Sequence, residues 1–136
     1  MGTATGTVYI EIDAAQLDKG VPFHEDPRVD LPYRLLERHN QTWRVGNQEV
    51  LMPTPELLLL QKVKAHRDRS WDLRHTEVDI GRAAFLRSKI AKDAYDIRGL
   101  VPHIADWGVV ASIAEERSCR PLVAASLKEL EAYDGL

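Results

Sequence analysis

An α+β fold is predicted by three observations along this 136-residue chain. Strand-like alternation and a tight-turn glycine are confined to residues 1–53, the strand-rich part. From residue 54 to 136 the apolar residues recur at helical spacing. The two regimes meet at Pro53-Thr54-Pro55, which stops a strand and opens a helix. Together they predict a single domain, with a small and mostly antiparallel sheet followed by a helical C-terminal half.

The elements follow in order. Val8–Asp13 (VYIEID) alternates strictly, so it reads as a strand with Val8, Ile10 and Ile12 on a core face. Residues 14–32 are rich in Asp, Pro and Gly without sustained periodicity, which predicts mostly loop. Tyr33–His39 is expected to form a short helical turn. Thr42–Val45 and Glu49–Met52 then flank Gly46-Asn47, a pair able to take the positive φ of a hairpin turn. Thr54 fits a helix N-cap, Pro55 the first helical position, and Glu56 the positive end of the dipole. That helix is expected to run to about Arg69, with a break at Ser70–Arg74. Thr76–Lys89 resumes helical spacing, with Ile80, Ala83, Ala84 and Leu86 as candidate buried positions and Gly81 weakening the segment. Asp93–His103 reads as a separate helix ended by Pro102. Asp106 can cap Trp107–Glu116, and Pro121 opens a last helix over Leu122–Tyr133.

Composition bounds the function classes. The content of 44% hydrophobic and 29% charged residues is that of an ordinary globular protein. Apolar runs such as Leu57–Leu60 are far short of the roughly 20 residues a membrane helix needs. No signal peptide is recognisable at the N-terminus, so a cytoplasmic location is expected. The lone Cys119 excludes an intramolecular disulfide and a cysteine-cluster metal site. The net charge of −3 conceals a segregation: residues 61–92 hold nine basic and four acidic residues, while both flanking parts are acidic. Such a concentration attracts nucleotide phosphates or RNA backbone, unless it is an ordinary solvated helix face.

Three groups of residues are candidates for chemistry. Glu11 and Asp13 share one strand face and could offer hard oxygen ligands to a divalent cation, or merely meet solvent. Lys62 sits at the border of the apolar stripe of its helix, where an ammonium can reach a phosphate or snorkel into water. Asp93 and Asp96 are helix-face neighbours, flanked by Lys92 and Arg98, and could orient Lys62 or Arg67 by a charge-assisted bond. Their plain structural role would be to stabilise a helix N-terminus. His24-Glu25-Asp26 has no second ligand cluster at metal spacing, His66 and His75 fit surface or interhelical contacts, and Trp43, Trp71 and Trp107 fit core or interface anchors. Walker, Rossmann, HExxH and GxSxG motifs are all missing from the sequence.

The ordered pair PTPELLLLQKVKAHRDR (Pro53–Arg69) and KDAYDIRGLV (Lys92–Val101), behind VYIEID and the hairpin TWRVGNQEVLM, resembles the later half of the nucleotidyltransferase-like AbiEii/AbiGii toxin family. The resemblance covers roughly residues 8–101. It implies Mg²⁺-dependent transfer of a nucleotidyl group from a nucleoside triphosphate to an RNA or protein hydroxyl. It also implies an acid near the metal at Asp13, with Glu11 as the second choice. Lys62 would be the phosphate-holding lysine, with Arg67 and Lys92 as further substrate-facing cations, and Asp93 or Asp96 the positioning acid. A homo-oligomer or an antitoxin partner would suit such a family. Two departures stand out. The family's Gly-Ser turn with its Asp-x-Asp strand has no counterpart before Val8, and the connection from Arg69 to Lys92 is longer than the pattern leads one to expect. The expectation is therefore a truncated nucleotidyltransferase-like domain. Its alternatives are a non-catalytic interaction module, or an RNA-binding protein using the basic 61–92 segment.

Overall fold

The structure, a computed structural model, describes residues 19–136 and has the predicted α+β architecture. The Val8–Asp13 strand, and with it Glu11 and Asp13, lies outside the described residues. Two antiparallel two-stranded sheets come first: β1 (Pro22–Phe23) with β2 (Asp26–Asp30), and β3 (Asn40–Val45) with β4 (Gln48–Pro53). A 3-10 turn, Tyr33–Glu37, lies between them. Four helices follow: α1 (Pro55–His75), α2 (Ile80–Leu100), α3 (Trp107–Glu116) and α4 (Arg120–Glu129).

The β3–β4 hairpin forms as the sequence predicts, with Trp43 opposite Val50 and Thr42 opposite Leu51. Gly46 alone of its turn pair takes positive φ, at 63°, a region a side chain would disfavour. The β1–β2 hairpin corrects the loop expected over residues 14–32. Its strands are too short for a periodic signal, and Pro27 lies inside β2, a residue tolerated only at a sheet edge. Val29 and Leu31 nonetheless alternate into the core.

Thr54 caps α1 by accepting the Leu57 amide at 3.3 Å, with Pro55 in the first turn. The expected break at Ser70–Arg74 does not occur, for that stretch contains neither Gly nor Pro. Its i,i+4 contacts favour the helix instead: Trp71 stacks on His75 with ring centroids 3.7 Å apart, and Arg74 Nε donates to the Ser70 carbonyl. The chain turns at residues 76–79. There Asp79 accepts the Arg82 amide at 2.7 Å and caps α2. The two helical segments expected on either side of Lys89 are one helix, because no breaker separates them and Gly81 falls in the first turn. The four-residue connection makes α1 and α2 antiparallel neighbours, the most extensive helix contact in the structure. The last helix ends at Glu129, short of the expected Tyr133, where Glu131 adopts φ 51°.

The core is built around α1. Leu57, Leu59, Leu60 and Val63 are fully buried against Ile97 of α2, Val110 and Ile113 of α3, and Val123 and Leu127 of α4. Phe23 of β1 closes the strand side. Two of the four positions expected to be buried at the start of α2 are instead exposed: Ile80 and Ala84. Leu86 is buried as expected. None of the described helices is long and apolar enough to cross a membrane.

Candidate phosphate-binding site

The facing sides of α1 and α2 bring the sequence-selected residues together. Lys62 Nζ donates to Asp96 Oδ2 at 2.9 Å, and Lys92 Nζ donates to the same oxygen at 2.9 Å. One carboxylate thus holds two ammonium groups, leaving a net charge of +1 at the solvent edge of the helix pair. Hydrogen bonds from Lys92 and then Lys62 hold the Asp96 carboxyl below its ordinary pKa. One turn along, Arg69 donates to Asp93 Oδ2 at 2.5 Å. The two aspartates differ in access: Asp93 is 2% exposed, whereas the Asp96 side chain is 25% exposed. Asp96 is open to a ligand and Asp93 is closed to one.

Arg67 is engaged elsewhere. Its guanidinium meets both carboxylate oxygens of Glu25 at 2.6 and 3.0 Å, and also donates to the Leu122 carbonyl and the Ser126 hydroxyl. Of the two cations an aspartate of α2 was expected to orient, Lys62 is held and Arg67 is not. His24, set aside as incidental, is part of a second clasp: its amide donates to Asp68 Oδ1 and its Nδ1 lies 2.9 Å from Asp72 Oδ1. Lys64 bonds Asp68 from the same helix. These partners lie more than 40 residues apart in the chain, a separation at which spacing carries no signal.

The pairs also change the meaning of the basic segment. Five of its nine cations, Lys62, Lys64, Arg67, Arg69 and Lys92, are tied to carboxylates, three of which lie outside the segment. Burial holds the half-buried His66 imidazole below its ordinary pKa, so it adds no charge at neutral pH. Cys119, fully buried, has its thiol pushed up to about 11 by desolvation and is no nucleophile.

A groove of about 690 Å³ opens beside this cluster, between α1, the β4 strand and the β2 end. Its apolar lining includes Leu31, Leu36 and Leu58, and its polar lining holds Lys64, Arg69 and Arg82 together with Asp68 and Asp72. That volume suits a nucleotide-sized ligand. Arg69 belongs to both groove and helix-pair cluster, whereas Lys62 and Asp96 stand outside the lining. Among the described residues no three His, Cys, Asp or Glu side chains converge to hold a metal ion.

Because its folded-state pKa is depressed, Asp96 contributes stability that is complete above the unfolded value near about 4 and is lost as pH falls through the folded value. The stability difference between wild type and Asp96→Asn, read from urea midpoints, is therefore expected to be constant from neutral pH to about pH 5, to shrink below about pH 4, and to disappear once pH has fallen through the depressed folded value. A difference that persisted unchanged in strong acid would show that the carboxylate charge is not what holds the two lysines.

No family model, curated protein or solved structure matches this chain.

Proposed function

We propose that this chain is a nucleotidyltransferase-like protein that binds nucleotide phosphates at the α1–α2 face, with Lys62 as the phosphate-holding cation. One observation carries the reading: Lys62 and Lys92 converge on Asp96 at an exposed helix edge. Two compact ammonium groups share one carboxylate and retain an excess positive charge. Asp96 fixes both, so that a phosphate oxygen meets donors already in place rather than mobile side chains. Arg69, fixed by Asp93 one turn from Asp96 on the same helix, is a third cation, and it lines the groove together with Arg82. Magnesium would neutralise a bound triphosphate and the charge developing as the acceptor hydroxyl attacks. Among the described residues no three His, Cys, Asp or Glu side chains converge to hold it. Carboxylates for it would come from Asp13 and Glu11, or from a segment or chain that contributes an Asp-x-Asp pair. The described part of the chain therefore serves phosphate binding, and nucleotidyl transfer to RNA or a protein, including a toxin–antitoxin role, follows only where those carboxylates join it.

Ligand-linked stabilisation provides the test. A nucleoside triphosphate with Mg²⁺ at about 100 times its Kd is expected to raise stability by about 2.7 kcal/mol, read as a higher melting temperature. Lys62→Ala is expected to abolish the shift while leaving the unliganded melt nearly unchanged, since exposed ion pairs contribute about 1 kcal/mol or less. If no nucleotide stabilises the wild-type chain, with or without Mg²⁺, the phosphate-binding reading is wrong.

A further inference from the structure

The solvent side of α2 presents apolar side chains where a helix packed on a core normally shows charge. Ile80 is 91% exposed, Tyr95 78% and Phe85 48%. Between Ile80 and Tyr95 the exposed positions on the same side are Ala84, Ser88 and Ala91, and Gly99 follows one turn later. At 3.6 residues per turn this side runs straight along the helix for roughly 30 Å. It is a second apolar side, distinct from the one formed by Leu86, Ala94 and Ile97, which is spent on the core. Exposed apolar surface of this continuity marks an interaction site rather than scattered surface residues.

The charges beside it identify the partner. Arg87 and Arg98 edge the strip on one side, and Lys92 on the other. Both acids of the helix point away from any partner there: Asp93 is buried on Arg69, and Asp96 is held between Lys62 and Lys92. Arg87 has no carboxylate partner among the described residues, so its charge is available to a partner. A second copy of the chain would set these basic edges against their own likeness, which disfavours self-association. A lipid surface would gain little, because Ala84, Ser88 and Ala91 offer almost no apolar volume to insert. Small residues flanked by two large anchors suit a rod that approaches closely along its length.

We propose that the outer face of α2 docks an amphipathic helix of a partner protein whose apolar stripe is bordered by Glu or Asp. Ile80 and Tyr95 anchor the two ends, the alanines let the backbones approach, and the basic edges pair with the acidic borders. The anchors Ile80 and Tyr95 lie outside the Lys62–Asp96–Lys92 cluster, and Lys92 alone is shared between the docking edge and that cluster.

The full-length chain can be titrated into a labelled synthetic helix of about 20 residues with a Leu/Ala stripe bordered by Glu, and into a copy bordered by Lys. Anisotropy is expected to show binding of the Glu-bordered peptide, at least about tenfold tighter than of the Lys-bordered one. Binding should weaken by about tenfold or more in the Ala84→Glu/Tyr95→Lys variant, whose altered side chains are solvent-facing and leave the fold intact by circular dichroism. Amide exchange should slow over residues 80–99 on binding. Equal binding of both peptides, no binding of either, or protection elsewhere in the chain would overturn the proposal. So would a wild-type dimer that becomes monomeric in the variant, or tighter binding to phosphatidylcholine/phosphatidylglycerol vesicles than to the acidic peptide. The Mg²⁺-nucleotide melting shift should be the same in wild type and variant, which separates failure of docking from failure of phosphate binding.

Discussion

Arg67→Met is expected to destabilise the fold by about 3 kcal/mol, one of the two largest effects foreseen for a polar residue among those described. Among the described residues, Arg67 ties the β1–β2 turn to α4 across α1. It holds Glu25 through two charge-assisted bonds and satisfies the Leu122 carbonyl and the Ser126 hydroxyl. Ser126 is buried, and both Arg67 and Glu25 are largely removed from solvent. Methionine retains most of the packing volume but strands a carboxylate and two further polar atoms. Removing one partner of a buried ion pair costs more than the pair itself contributes, because the survivor stays desolvated. The double variant Glu25→Gln/Arg67→Met should therefore recover part of the loss, which urea unfolding of the four-member cycle would measure. A single-variant cost below about 1 kcal/mol would mean that Arg67 is solvated and available as a phosphate ligand, the role the family resemblance implies for it.

What the sequence discloses about this fold is what is decided locally. Gly46 shows itself because a hairpin turn needs positive φ, and Thr54-Pro55 because a helix start needs an acceptor and tolerates a missing amide. Asp106 is legible as the α3 cap for the same reason. Continuity was harder to read. The segment Ser70–Arg74 is polar and aromatic, which resembles a loop in composition, yet nothing in it opposes a helix, and the Trp71–His75 stack favours one. Asp79, with the amide of Arg82 three residues on, was the signal that places the turn. Burial failed at Ile80 and Ala84 because helical periodicity reveals an apolar face without saying which protein covers it. Within the candidate site, an aspartate of α2 was legible as a partner for Lys62 or Arg67, but spacing did not choose Asp96 over Asp93 or Lys62 over Arg67. Arg69, Lys64 and the His24 clasp were not legible, for their partners are chosen by the packing of β1–β2 and α2 on α1.

The two aspartates of K-D-x-x-D are expected to separate cleanly under mutation, although they sit on the same helix three residues apart. Asp93→Ala should cost about 3 kcal/mol, since it removes a buried carboxylate from Arg69 and leaves a cavity beside the α1–α2 contact. Asp96→Ala should cost about 1 kcal/mol or less, because its two lysine partners are partly solvated and can turn into water. Nucleotide binding should reverse the order. With Asp96 gone, Lys62 and Lys92 lose the anchor that holds them in place and gain mutual repulsion, so Mg²⁺-nucleotide affinity should fall through disorder of the donors even though the local positive charge rises. With Asp93 replaced, the Lys62–Asp96–Lys92 cluster remains, and the surviving folded fraction should bind nearly as wild type. Urea unfolding gives the first comparison, and the nucleotide-induced melting shift, taken relative to each variant's own unliganded melt, gives the second. Should Asp96→Ala bind nucleotide more tightly than wild type, the carboxylate would be a competitor for the lysines rather than their support. Phosphate binding at this face would then be governed by charge alone. If the larger stability loss instead followed Asp96, the division of the motif into a buried strut and an exposed positioning acid would have to be reversed.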